Sequence, residues 1–196
     1  FVFVFMIGAC LSQGRAQTKS AVSYKNPVVD IAMPDPTVIK AADGYFYVYA
    51  TESTRNVPIM KSKDLVEWTY CNTAFTNKTR PRFEPKAGIW APDINYINGK
   101  YVLYYAMSVW GGEQTCGIGV ATADSPQGPF TDHGKMFRSN EIGVQNSIDP
   151  SLLQYEGRNY LVWGSFRGIY VIELTADGLS IMPGAKKKLS LIHISE

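Results

Sequence analysis

Charge is scarce in this chain. Only 18% of its 196 residues are charged, and the formal net charge is +2. The one basic run, Lys186-Lys187-Lys188, has no aromatic side chains interleaved with it. A nucleic-acid partner therefore finds no support. Cysteine is scarce as well: Cys10, Cys71 and Cys116 form no C-x-x-C pair and sit in no Cys/His cluster. That argues against a structural zinc site. For Cys71 and Cys116, a disulfide and a pair of buried free thiols both stay open. No window sustains apolar spacing at i, i+3, i+4, i+7, so helices should be few and short. Long hydrophobic runs are missing too, apart from the eleven residues Phe1 to Leu11. Eleven residues are too few to span a bilayer as a helix, but they suit the core of a signal peptide. Small residues at Gly14 and Ala16 place cleavage before Gln17, which makes 1–16 a partial signal peptide and the protein secreted or periplasmic. Ile7-Gly8-Ala9-Cys10 resembles a lipobox, and an outer-membrane lipoprotein through Cys10 is the alternative; a buried N-terminal strand is the third reading. No initiator Met and no basic segment precede the run. The start of the reading frame is expected to be missing.

Apolar and aromatic residues are plentiful. The chain is 45% hydrophobic and carries twelve Tyr, nine Phe and four Trp. This is core material for a globular fold, and its character suits strands and flat sugar-stacking surfaces. Three segments resemble one another: DPTVIKAADGYFYVYAT from Asp35, DINYINGKYVLYYAMS from Asp93 and DPSLLQYEGRNYLVWGS from Asp149. Each starts at Asp, runs through a short apolar strand, and turns at Asp43-Gly44, Asn98-Gly99 or Glu156-Gly157 into an aromatic-rich strand. Such pairs between apolar runs are hairpin signals, because they supply the positive φ of a tight turn. The spacings are 58 residues from 35 to 93 and 56 from 93 to 149. Near-constant spacing of this length indicates a repeated supersecondary unit. The further runs VPIMKSKDLVEW, GIGVATA and GIYVIEL bring each repeat to about four strands, the content of a propeller blade. The fold class is therefore all-β, a β-propeller. If Asp35, Asp93 and Asp149 are equivalent, three carboxylates gather at one mouth of the central channel. Paired carboxylates on an aromatic-rimmed concave surface suit glycoside hydrolysis: one activates water, and the other protonates the leaving oxygen. The competing reading makes each Asp a cap for its own hairpin.

The motifs MPDPTVI, IWAPDINYINGKYVLYY and NSIDPSLLQYEGRNYLVWGSFRGIYVIEL, together with SKDLVEW at 62–68, resemble glycoside hydrolase family 43. Within it they are most similar to the arabinan endo-1,5-α-L-arabinosidases, from about Asn26 to Lys188. The resemblance implies a five-bladed propeller, about three blades of which are present, and an inverting acid/base mechanism. It makes Asp35 the general base. Asp149 becomes the carboxylate that orients the acid and tunes its pKa. Substrate contacts are implied at Asp35, Trp90, Asp93, Gly112 (or Gly111), Asn146, Ser147, Ile148, Asp149, Ser165, Phe166 and Arg167. At Trp90, sugar stacking and blade packing are equally open, and in many arabinanases an aromatic stands where Arg167 stands. No cofactor is required and no metal ligand is assigned. A structural calcium is implied for the full-length protein. The partner is a plant cell-wall polysaccharide, arabinan or arabinoxylan. The rivals are an exo-acting α-L-arabinofuranosidase or β-xylosidase of the same family, and a non-catalytic carbohydrate-binding propeller.

The family's acid is a Glu beyond Asp149, and Glu196 is the one acidic residue after Asp177. The segment LSLIHISE at 189–196 resembles a translated sequencing-library adapter, however, so it is read as non-native. Glu196 and His193 receive no role. On this reading the acid is absent from the chain, 17–188 is the N-terminal part of the propeller, and the fragment alone is inactive.

Overall fold

The computed structural model describes residues 23–189. The expected signal segment, Cys10, His193 and Glu196 lie outside them. The elements run β1 (Thr37–Lys40), β2 (Phe46–Tyr49), β3 (Pro58–Ser62), β4 (Thr69–Thr73), β5 (Gly88–Ile97), β6 (Lys100–Ser108), β7 (Gly117–Ala123), β8 (Thr131–Arg138), α1 (Ser139–Ile142), β9 (Ser151–Tyr155), β10 (Arg158–Ser165), β11 (Gly168–Leu174) and β12 (Lys188–Leu189). They form three antiparallel four-stranded sheets, β1–β4, β5–β8 and β9–β12, each with its strands side by side in chain order. These are three propeller blades. The outermost strand of the third takes in Leu189, the first residue of the suspected tail, which pairs with Tyr170.

Turn chemistry sets the register of each inner hairpin. Asn98-Gly99 and Glu156-Gly157 have φ of 48° and 83°, and of 49° and 73°. Positive φ at both central residues closes a two-residue turn whose twist matches that of the strands. Lys100 therefore lies opposite Ile97, and Arg158 opposite Tyr155. The first hairpin differs from the expected pair turn. Lys40 lies opposite Phe46, which leaves a five-residue connection. Within it Gly44, at φ 85°, donates its N–H to Ala41 O at 3.0 Å. Asp43 stays out of the positive-φ region and instead accepts the Tyr45 N–H at 3.0 Å and the Tyr47 hydroxyl at 2.7 Å.

The core lies between blades rather than within them. β6 is buried on both faces from Tyr101 to Ser108 and alternates with the period of two that a strand imposes. Leu103, Tyr105 and Met107, with Ile89 of their own blade, pack toward blade 1 in one buried cluster with Tyr49 and Phe75. Val102 and Tyr104 pack toward blade 3 against Leu161, Trp163 and Leu174. Phe75 meets Tyr105 edge-on at 5.7 Å between ring centroids. Each fully buried large side chain contributes about 2–3 kcal/mol, so these two seams hold the blades in register. Cys71 and Cys116 are free thiols, half-buried and buried respectively.

The repeat is offset from its expected alignment. Asp35 and Asp149 precede prolines and have φ of 50° and 54°. The residue of blade 2 that does the same is Ala91, at φ 39°, followed by Pro92. Asp93 stands two residues further on, past a bulge in β5. The step to a proline marks the equivalent positions, and the aspartate of blade 2 does not occupy one.

Candidate active site

Asp35 and Asp149 each stand where the chain enters the inner strand of a blade. Left-handed backbone is uncommon for residues other than glycine, and Asp is among those that tolerate it best. Two such residues at equivalent places are the kind of local strain that collects at sites of function. Burial raises the pKa of Asp149, and the negative charge of Asp35 raises it further. The two carboxylates thus lie within electrostatic reach of one another. Among the described residues Asp149 has no side-chain hydrogen bond, whereas Asp35 Oδ2 accepts the Thr51 hydroxyl at 2.6 Å.

Beside Asp149 a cavity of about 440 Å3 opens between blades 2 and 3. It brings together Trp90, Gly112, Asn146, Ile148, Asp149, Ser165 and Phe166 of the expected set. Asn146 is held at φ 55°. Its N–H reaches Glu113 O at 2.7 Å, and its Nδ2 donates to Ser165 Oγ at 2.8 Å. Gly112 is required by its own turn, in which a Cβ would stand 2.8 Å from Val109 Cγ2. Trp90 is half-buried and meets Trp110 at 5.4 Å between centroids. Trp110 is 94% exposed and Phe166 78% exposed. Bare aromatic faces on a cavity that also presents Asn146, Asp149 and Ser165 suit stacking on the apolar face of a sugar ring.

Four residues of the expected set do not line this cavity: Asp35, which bonds to Thr51 at the entry to β1, and Ser147, Asp93 and Arg167. Ser147 is fully buried. It spends its hydroxyl on Val144 O at 3.1 Å and accepts the Trp163 indole N–H at 3.3 Å, so its side chain props the cavity wall from behind. Asp93 is a staple between blades. Its Oδ2 accepts the Leu152 N–H of blade 3 at 2.8 Å and Asn95 Nδ2 at 2.7 Å. Burial raises its pKa, against the opposing effect of bonds from Leu152, Asn95 and Thr37. Arg167 does not itself line the cavity but braces two residues that do, Glu113 and Phe166. Its Nε donates to Glu113 Oε2 at 2.9 Å, and its guanidinium lies 5.0 Å from the Phe166 ring centroid. It clasps the rims of blades 2 and 3. Sequence reasoning missed Thr51, Trp110 and Glu113. Of these only Trp110 carried a legible signal, a tryptophan set at a strand end against Gly111-Gly112. Among the described residues no three His, Cys, Asp or Glu side chains gather to hold a metal ion. No helix among the described residues is long and apolar enough to cross a membrane.

Comparison with known proteins agrees with this geometry. The chain is 38% identical over 140 residues to an extracellular endo-α-(1→5)-L-arabinanase of Bacillus subtilis, covering 67% of this chain and 43% of that protein. It is 32% identical over 137 residues to arabinan endo-1,5-α-L-arabinosidase A of Aspergillus niger, covering 67% and 41%. Among solved structures, a Cellvibrio cellulosa α-L-arabinanase superposes with a TM-score of 0.71 at 28% identity, covering 80% of this chain and 52% of the other. A native Bacillus subtilis arabinanase superposes at 0.69 and 32% identity, covering 80% and 56%. The chain thus spans less than half the length of these two curated relatives. The family model for glycosyl hydrolases family 43 matches residues 24–192. With blades, paired aspartates and relatives in agreement, this chain belongs to glycosyl hydrolases family 43.

Proposed function

We propose that the full-length protein containing this chain hydrolyses α-1,5-arabinofuranosyl linkages in arabinan with inversion at the anomeric carbon. The observation that carries this reading is the pair Asp35 and Asp149: equivalent strained positions in two blades, the charge of the first felt at the second, and the second on the wall of an aromatic-lined cavity. In the step, the oxygen of a water molecule bonds to the anomeric carbon as the glycosidic bond breaks. Asp35 takes a proton from that water, and the leaving oxygen takes one from a general acid. We assign the acid to none of the described residues. Asp149, a carboxylate beside the reaction centre, suits the task of raising the acid's pKa, because like charges disfavour ionisation. Trp90, Trp110 and Phe166 offer stacking faces around the cavity. The exposed aromatics at the rim of this open cavity, Trp110 and Phe166, favour binding within a chain over binding at its end, and therefore endo action. The Bacillus subtilis relative is named extracellular, which supports a protein that works outside the cytoplasm on a plant polysaccharide. A Cellvibrio cellulosa arabinanase has been solved with arabinohexaose bound, which supports an oligosaccharide-length site here.

The test is Asp35→Asn in the full-length protein. It keeps size and geometry and removes the base. Turnover of linear arabinan, read as new reducing ends, should fall by about 10²–10⁴-fold, with arabino-oligosaccharide binding retained. Activity that survives this change would show the base assignment to be wrong.

A further inference from the structure

We propose that Thr51 is the positioning residue for the Asp35 base, an inference that rests on the catalytic reading above. The β1–β2 register pairs Thr37 with Tyr49, and carrying it on by two residues sets Thr51 opposite Asp35. The Thr51 N–H bonds to Pro34 O at 2.9 Å, which ties the strand end to the residue just before the base. Its hydroxyl sits in a directed chain: the Ala91 N–H donates to Thr51 Oγ1 at 2.7 Å, and Thr51 Oγ1 donates to Asp35 Oδ2 at 2.6 Å. Because the blade 2 amide can only donate and the carboxylate can only accept, the hydroxyl proton is committed to the carboxylate. Linked donors of this kind strengthen one another. One carboxylate oxygen is thereby pinned. Oδ1, which has no partner among the described residues, is left to take the proton from water.

The other blades show that this hydroxyl is particular to blade 1. In blade 3 the Gly164 N–H makes the same strand-end bond, to Ile148 O at 2.9 Å, and the register sets Gly164 opposite Asp149. In blade 2 Ala106 lies opposite Trp90, beside Ala91. Threonine, alanine and glycine thus stand at three equivalent places, and only the first can donate a side-chain hydrogen bond. The hydroxyl faces the one carboxylate that must be held in a fixed direction. Asp149, facing a glycine, goes without such a bond. Added bulk at Gly164 is not tolerated either, since a Cβ there would lie 2.1 Å from Gly168 O.

The experiment compares Thr51→Val, Thr51→Ser and Asp35→Asn in the full-length protein on linear arabino-oligosaccharides. Valine keeps the branched shape and loses the hydroxyl, and serine keeps the hydroxyl. Thr51→Val should lower kcat by about 10- to 100-fold with KM within about 2-fold, while Thr51→Ser stays within about 3-fold of the parent. Should the valine protein fail to fold, Thr51→Ala removes the same hydroxyl without added bulk and should show the same split. A merely structural role, such as accepting the Ala91 N–H, predicts loss of binding and turnover together. A Thr51→Val protein that turns over at the parent rate, or valine and serine proteins equally impaired, would overturn the proposal. Asp35→Asn separates the two levels. If it is inactive while Thr51→Val is unimpaired, only the positioning role fails; if it is active, the catalytic reading itself fails.

Discussion

At the scale of single residues, two aspartates in near-identical backbone settings are treated differently. Asp35 receives a hydroxyl, and Asp149 receives burial and a neighbouring negative charge. The sign of the second has a consequence for stability. The pKa of Asp149 is raised above the ordinary 3.8 in the folded protein. Over the interval between those two values the folded state binds more protons than the unfolded state, so stability falls as pH rises. The cost is complete above the folded pKa and vanishes below the unfolded one. Asp149→Asn is therefore expected to stabilise the full-length protein at pH 7, with the gain fading as pH drops through the carboxylate range. Asparagine tolerates the left-handed backbone as well as aspartate does, so backbone strain does not offset the effect. Urea unfolding of parent and variant between pH 3 and pH 7 checks it, and a gain that grows toward acid pH would refute it. Catalysis should be lost in the same variant, as expected where a site keeps a charge that stability alone would discard.

At the scale of elements, most of the hairpins were legible because turn residues and strand periodicity act locally. Asn98-Gly99 and Glu156-Gly157 specify their registers through backbone φ alone. The first hairpin was legible as a turn, though not in its length, because Asp43-Gly44 also suits a five-residue connection. The repeat was found but anchored wrongly. Aspartate was matched to aspartate, whereas the shared feature is the step into proline at Asp35-Pro36, Ala91-Pro92 and Asp149-Pro150. What joins one element to the next was not legible at all. Glu52, just past β2, bonds bidentately to Arg80 in the β4–β5 loop, at 2.6 and 2.7 Å. It also accepts the Asn56 N–H at 2.7 Å and the Ile89 N–H of blade 2 at 2.9 Å. Nothing in the spacing of residues 52 and 80 marks that pairing. Burial alone would raise the Glu52 carboxyl, but the Arg80 guanidinium and the two amides outweigh it and hold the pKa below 4.5. This stability is present above the unfolded value and is lost as pH falls through the folded one. The two side chains are 10% and 7% exposed, so removing one partner strands the other. Arg80→Met should cost about 3–5 kcal/mol in urea unfolding, and the double change Glu52→Leu/Arg80→Met should recover much of it. A single change without measurable cost would show that the clasp does not hold blades 1 and 2 together.

At the scale of the whole molecule, the middle blade shows what a finished seam looks like, and the flanking blades show unfinished ones. β6 is buried along both faces from Tyr101 onward. The outward face of blade 1 instead opens into a groove of about 710 Å3 lined by Val38, Val48, Leu65 and Trp68. There Val38 remains 48% exposed and Leu65 45% exposed. On blade 3, Leu153 and Tyr155 remain 50% and 60% exposed. Contiguous apolar surface of this kind is unusual on a soluble monomer and marks a place that another surface covers. In a propeller the covering surface is the adjacent blade, and closure is how the fold hides its edges. A polypeptide of residues 23–189 made alone should therefore bind a hydrophobic dye such as ANS at neutral pH, self-associate as concentration rises, and release no reducing ends from arabinan. The full-length protein should do the reverse on all three counts. Light scattering and dye fluorescence on the two proteins side by side decide the matter. A monomeric, dye-silent 23–189 polypeptide would mean that the two outer seams are tolerated by water as they stand, and that the blades draw their stability from within each sheet rather than from the seams between them.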